Sequence, residues 1–221
     1  MHVRDLTGFL SELSENNNRA WFVMNKPRYD ILRAEFLQLV IRLIANISRF
    51  DPAIADINPK KALFRINRDL RFAKDKAPYK TTFSAALNAS GLKKPSQGGG
   101  PSYYFHIDAQ GKLLIAAGEW MPPADRLRAI RQHVVDDPNG FTKVLKNKKL
   151  AQTFGDLQAE GKLIRPPKGF DADGPYADYL KLKSFIVWIE IDVIKDGEAL
   201  EQKLLTTFKD AWPLIVWLRE A

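Results

Sequence analysis

The sequence predicts an α+β fold: a mainly antiparallel sheet of about five strands packed by N- and C-terminal helices. Two observations carry that expectation. Segments with apolar residues at helical spacing stand at both ends of the chain, and period-two segments are grouped between them. One of those period-two segments is a hairpin whose two faces segregate cleanly into apolar and polar sets. Length alone, at 221 residues, allows one domain or two. The pattern reads as a single domain over 1–221, with the sheet core in 60–120.

Residues 5–49 read as helical. Leu6, Phe9, Leu10 and Leu13 recur at helical spacing, and Asn16, Asn17 and Asn18 break that helix and cap the next. Pro27 suits the first turn of a long helix running to about Phe50. Its stripe of Ile31, Phe36, Leu37, Val40, Ile41 and Ile44 is wide enough to be buried against a sheet. From Ala62 the period changes to two, with Phe64, Ile66, Leu70 and Phe72 on one face and Arg65, Asn67, Asp69 and Arg71 on the other. Arg68 shares parity with the apolar set, which calls for a bulge or a partly buried arginine. A second strand follows at Thr81–Ala89, then a loop over 90–102 that is rich in Gly, Ser, Pro and Lys and expected to be flexible. With no helix beside them, its glycines do not read as a phosphate-binding loop.

In the hairpin of 103–120, Asp108 opens and Gly111 closes a turn. That register sets Tyr103, Phe105 and Ile107 against Ala117, Ile115 and Leu113, and leaves Tyr104, His106 and Asp108 on the opposite face. A helix over 123–136, a helix over Phe141–Phe154 with a lysine-rich exposed side, and a short helix near Tyr176–Lys183 come next. SFIVWIEIDVI is apolar enough to lie centrally in the sheet. A C-terminal helix carrying Leu204, Leu205, Phe208, Trp212, Ile215, Val216 and Leu218 ends the pattern.

The charge is concentrated. KKALFRINRDLRFAKDKAPYK, residues 60–80, holds eight bases against two acids, a local charge of +6 in a chain of +8. The absence of cysteine excludes disulfides and thiolate chemistry. His2, His106 and His133 have no metal-ligand spacing, so no metal is expected. MHVRDLTGFLSEL does not read as a signal peptide, and FLQLVIRLIANISRF, interrupted by Arg42, is too short to cross a bilayer. A cytoplasmic protein is expected. The imbalance of charge points to an anion-binding set of Arg65, Arg68, Arg71, Lys74, Lys76 and Lys80, since guanidinium forks suit phosphate and carboxylate. Asp69, Asp75, Tyr79 and Trp120 would support it. Tyr104 with His106 is the candidate catalytic pair, a phenol beside a group that titrates near neutrality.

FRINRDLRFAKDKAPYKTTFSA, GGPSYYFHID, GEWMPP, PKGF and LKLKSF, with NNNRAWFVMNKPRYD upstream, resemble the uncharacterised bacterial family called domain of unknown function 2461. The resemblance implies one α+β domain and no established activity. Its signature falls here on Arg65, Arg68, Asp69, Arg71, Phe72, Lys74, Asp75, Lys76, Pro78, Tyr79 and Lys80. It continues over Tyr103, Tyr104 and His106, then Gly118, Trp120 and Pro122. Asn67 stands where an aromatic residue is expected and Gly174 where a histidine is, which weakens any mechanism needing a second histidine. The expected function is binding or processing of a small phosphate- or carboxylate-bearing ligand; cofactors are unknown. The alternatives are a nucleic-acid-binding module and a non-catalytic interaction protein whose basic motif is an internal ion-pair network.

Overall fold

Three asparagines end the first helix and start the second, as their side chains favour. A computed structural model describes residues 1–71, 74–92 and 97–221. In it, α1 (Val3–Glu15) stops at Asn16, and the Asn18 side chain accepts from the Trp21 N–H at 3.0 Å to open α2 (Arg19–Met24). Helix α3 (Lys26–Ile47) carries Pro27 in its first turn. Its buried stripe is Tyr29, Leu32, Phe36, Leu39, Val40, Leu43, Ile44 and Ile47. Ile31 and Ile41, expected in that stripe, face solvent instead, because the 3.6-residue repeat centres the face on Leu32 and Phe36. Phe72 and residues 93–96 of the glycine-rich loop lie outside the described residues.

Four strands, β1 (Thr82–Asn88), β2 (Ser102–Asp108), β3 (Lys112–Glu119) and β4 (Phe185–Asp192), form an antiparallel sheet in the order β1-β2-β3-β4. The hairpin turn is as expected: the Gly111 N–H bonds to the Asp108 carbonyl at 3.2 Å, with Gly111 at φ 74°. Strand β2 alternates buried and half-buried side chains along its whole length. Two expectations are corrected. Strand β4 lies at an end of this order rather than centrally; its apolar start, Phe185–Val187, is buried, and the Gln158 N–H bonds to the Ile186 carbonyl at 2.9 Å. The strand expected from Ala62 is reduced to isolated bridges, described below.

The chain divides into two compact units. The first comprises Met1–Leu87, Tyr104–Ile115 and Glu190–Thr206. Its core is aromatic: Phe36 packs on Phe83 at 5.5 Å and on Phe105 at 5.3 Å between ring centroids. It also holds α4 (Pro59–Ala62), a single turn capped by the Asn58 side chain. The second unit comprises Asn88–Tyr103, Ala116–Ile189 and Thr207–Ala221, with α5 (Ala124–Asp136), α6 (Pro138–Leu145), α7 (Lys148–Phe154) and α8 (Ala177–Leu180). The single helix expected over Phe141–Phe154 is two, because the Asn147 side chain accepts from the Leu150 N–H and starts α7 afresh. Helix α9 (Gly197–Arg219) contributes residues to both units. In the second unit Gly118, at φ 119°, is obligatory: a Cβ there would come within 2.2 Å of the Phe185 carbonyl oxygen. Next to it, the buried Glu119 carboxylate is held by the Arg126 fork at 3.0–3.1 Å.

Candidate functional site

After α4 the chain runs beside β1 in an interrupted antiparallel ladder. Leu63 bridges Ala85, and the Phe64 N–H bonds to the Ser84 carbonyl at 3.0 Å. Further on Asn67 bridges Tyr79, with Arg68 N–H to the Pro78 carbonyl at 2.9 Å and Lys80 N–H to the Ile66 carbonyl at 2.7 Å. Four residue steps on one side therefore face six on the other, from 79 to 85. That mismatch opens the ladder, and Pro78, without an N–H, cannot extend it. Ile66 is buried, but Phe64 is half-buried on the side of Tyr104, so the simple alternation of charged and core residues expected here does not hold.

The segment's two acids are both occupied. Arg68, 28% exposed, donates to Asp75 at 2.5 Å and to the Ala77 carbonyl at 3.1 Å, while Asp75 also accepts from the Ala77 N–H at 2.9 Å. Of the two alternatives expected for Arg68, a bulge or part-burial, part-burial is present. Arg71 grips Asp69 with two N–H groups at 3.0 and 2.6 Å. These bonds, then the Arg71 backbone N–H, hold the Asp69 carboxyl far below the usual carboxylate range, with Arg65 adding to the pull. Lys76 reaches the Leu70 carbonyl at 3.3 Å, and Lys74 is exposed. Among the described residues no carboxylate lies within 4.0 Å of the Arg65 or Lys80 cation.

Lys80 is the member that reaches inward. Its ammonium lies 5.1 Å from the centre of the Phe64 ring, which meets Tyr104 edge-on at 6.0 Å. The Tyr104 hydroxyl stands 3.1 Å from His106 Nδ1. Burial pushes the Lys80 pKa down and the nearby Arg65 pushes the same way. Burial raises the Tyr104 phenol, against the pull of the Ser84 hydroxyl. Burial also lowers His106, with Asp108 and Glu190 opposing. A neutral imidazole bonded to a phenol can exchange a proton with a third group, which is the chemistry this pair offers. Tyr79, expected to support the site, is core instead: it stacks on Phe22 at 4.0 Å, and the Asn17 side chain brackets its backbone N–H and C=O at 3.0 Å each. Trp120 belongs to the second unit and is 53% exposed.

Three residues near this arrangement went unremarked in the sequence: Arg33, Ser84 and Glu190. Two carried a signal. Arg33 follows Tyr29 by one helical turn beside an apolar stripe, and Ser84 is the polar residue inside the buried run Phe83–Leu87. Among the described residues no group of three His, Asp or Glu side chains is placed to share a metal ion. No described helix is long and apolar enough to cross a membrane.

The family model described as conserved hypothetical protein, DUF2461, matches residues 5–217. No curated protein and no solved structure matches the chain.

Proposed function

We propose that this chain, which belongs to the DUF2461 family of conserved hypothetical proteins, binds a small phosphate- or carboxylate-bearing ligand beside Tyr104 and His106. The observation that carries this reading is the pair Arg65 and Lys80: two cations close enough to repel, neither within 4.0 Å of a carboxylate among the described residues. An anion between them would relieve that repulsion, and Lys80 connects it through Phe64 to Tyr104. Tyr104 and His106 then contact the remainder of the ligand, with the imidazole in the neutral form that accepts a proton.

Arg68 and Arg71 take a different part. Their pairs with Asp75 and Asp69 favour the internal ion-pair reading for this stretch, so they shape the turn rather than hold the ligand. The test is a thermal-shift titration with inorganic phosphate and a panel of phosphorylated metabolites. Lys80→Met and Arg65→Gln are expected to abolish a saturable shift that Arg71→Ala leaves in place. A shift that survives both of the first two substitutions, or that Arg71→Ala alone removes, sinks the proposal.

A further inference from the structure

One lysine of the basic segment is set apart from the others. Lys60, Lys61, Lys74 and Lys76 are exposed, whereas Lys80 is half-buried just before β1. Its backbone N–H bonds to the Ile66 carbonyl at 2.7 Å, which fixes its place and sets Arg65 one residue along on the facing segment. Its ammonium lies over the Phe64 ring, 5.1 Å from the centre. Among the described residues no carboxylate stands within 4.0 Å of that ammonium to hold it charged.

A lysine is a nucleophile only as the free base, and an ordinary one at neutral pH is in that form roughly once in a few thousand molecules. Burial, and then Arg65, push the Lys80 pKa down, and each unit of lowering multiplies the free-base fraction about tenfold. A second cation beside a partly desolvated lysine is an arrangement that makes an amine reactive toward a carbonyl carbon. Arg65 is itself exposed, so its guanidinium can meet an anion arriving from solvent. Neither side chain has to be reached through an enclosed cavity.

We infer that Lys80 forms an imine with a 2-oxo acid, whose carboxylate lies on Arg65 and whose carbonyl carbon faces the lysine nitrogen. This rests on the anion-binding reading of Arg65 and Lys80 and names a ligand class for it. A 2-oxo acid fits because its acid and carbonyl carbons are bonded neighbours, as Arg65 and Lys80 are neighbours across the backbone pairing. In the first step the nitrogen lone pair forms a C–N bond while the C=O π pair moves to oxygen. Nitrogen then gives up a proton and oxygen takes one, leaving a carbinolamine. A further proton, from water, lets that hydroxyl depart as water while the nitrogen lone pair closes the C=N bond. The sum is amine, ketone and one proton going to iminium and water, with no oxidant or reductant. The iminium is again a cation, so it keeps its contact with the Phe64 face, and the ligand's carboxylate offsets the repulsion from Arg65.

Pyruvate is the probe and acetone, a ketone without the acid, its comparison. Each is incubated with the full chain and sodium cyanoborohydride near neutral pH, and the reduced adducts are mapped by peptide mass spectrometry. Lys60, Lys61 and Lys74 serve as exposed references in the same sample, which cancels the different intrinsic reactivity of the two ketones. Pyruvate is expected to mark Lys80 at least about tenfold faster than the references. With acetone that preference is expected to be at least about threefold smaller, and Arg65→Gln is expected to reduce the pyruvate preference by a similar factor. Equal marking of Lys80 and the references overturns the inference and leaves the anion-binding reading to the phosphate titration. A Lys80 preference that is the same for pyruvate and acetone, or that Arg65→Gln leaves unaltered, overturns the inference together with that reading.

Discussion

His106 is half-buried on β2, and the cost of burying its imidazolium outweighs the pull of Asp108 and Glu190, so its pKa falls below the ordinary 6.5. The unfolded chain then binds a proton at a pH where the folded one does not. Stability contributed through this group therefore rises with pH up to about 6.5, and is lost as pH falls below that value toward the lowered folded pKa. The melting temperature of the wild type is expected to drop more steeply between about pH 6.5 and 5 than that of His106→Asn. Superimposable pH profiles for the two proteins would show that the imidazole is not shielded. At this scale the sequence was legible where alternation settles the side: Tyr104 and His106 share a face because they are two residues apart on a strand. Tyr79 was not, because nothing local shows that Phe22 and Asn17, far away in the chain, come to enclose it.

The turn between Asn67 and Tyr79 is an element that its own side chains close. Arg68 spans it to Asp75 and the Ala77 carbonyl, Asp75 returns to the Ala77 N–H, and Lys76 reaches the Leu70 carbonyl. Asp75 is 68% exposed, so this clasp works mostly in water and orders the turn locally more than it stabilises the fold. Arg68→Gln is therefore expected to speed tryptic cleavage after Lys74 and Lys76 while leaving the melting temperature nearly unchanged. Limited proteolysis read by mass spectrometry checks this, and an unaltered rate at both lysines counts against the clasp. The elements themselves were largely readable: three asparagines divided α1 from α2, and Asp108 with Gly111 marked the hairpin. The strand from Ala62 was misread because its period of two is real only where a partner matches it. Four steps against six cannot be read from either segment alone. Strand β4 looked central because apolar composition reports burial of side chains on the faces of a sheet, which Phe185–Val187 have, and not the strand's place in the order.

For the molecule as a whole, the charge account separates a pocket from a surface. The described ion pairs of acids outside residues 60–80 are made with bases outside it, among them Asp5 and Glu12 with Arg28, Glu201 with Arg42, and Glu119 with Arg126. Within 60–80 the described ion pairs use only the segment's own Asp69 and Asp75, so its net +6 is not offset by those pairs. Such a surplus attracts any polyanion, and the question is how many cations one ligand engages. A compact site on Arg65 and Lys80 neutralises two charges, so log affinity against log salt should slope at about −2 at most. A nucleic-acid track using Lys60, Lys61, Arg65, Lys74, Lys76 and Lys80 would neutralise about six phosphates and slope near −5. At physiological salt the screening length is about 8 Å, so lysines beyond direct contact add little to the binding of a small ligand. Replacing Lys74 and Lys76 together by Gln is accordingly expected to change phosphate-ligand affinity by less than about twofold at 0.15 M salt, with the shallow slope retained. Calorimetric titrations at three salt concentrations measure both quantities. A slope near −5 that each lysine substitution reduces by about one, together with tighter binding of a DNA duplex, would replace the pocket with a nucleic-acid surface.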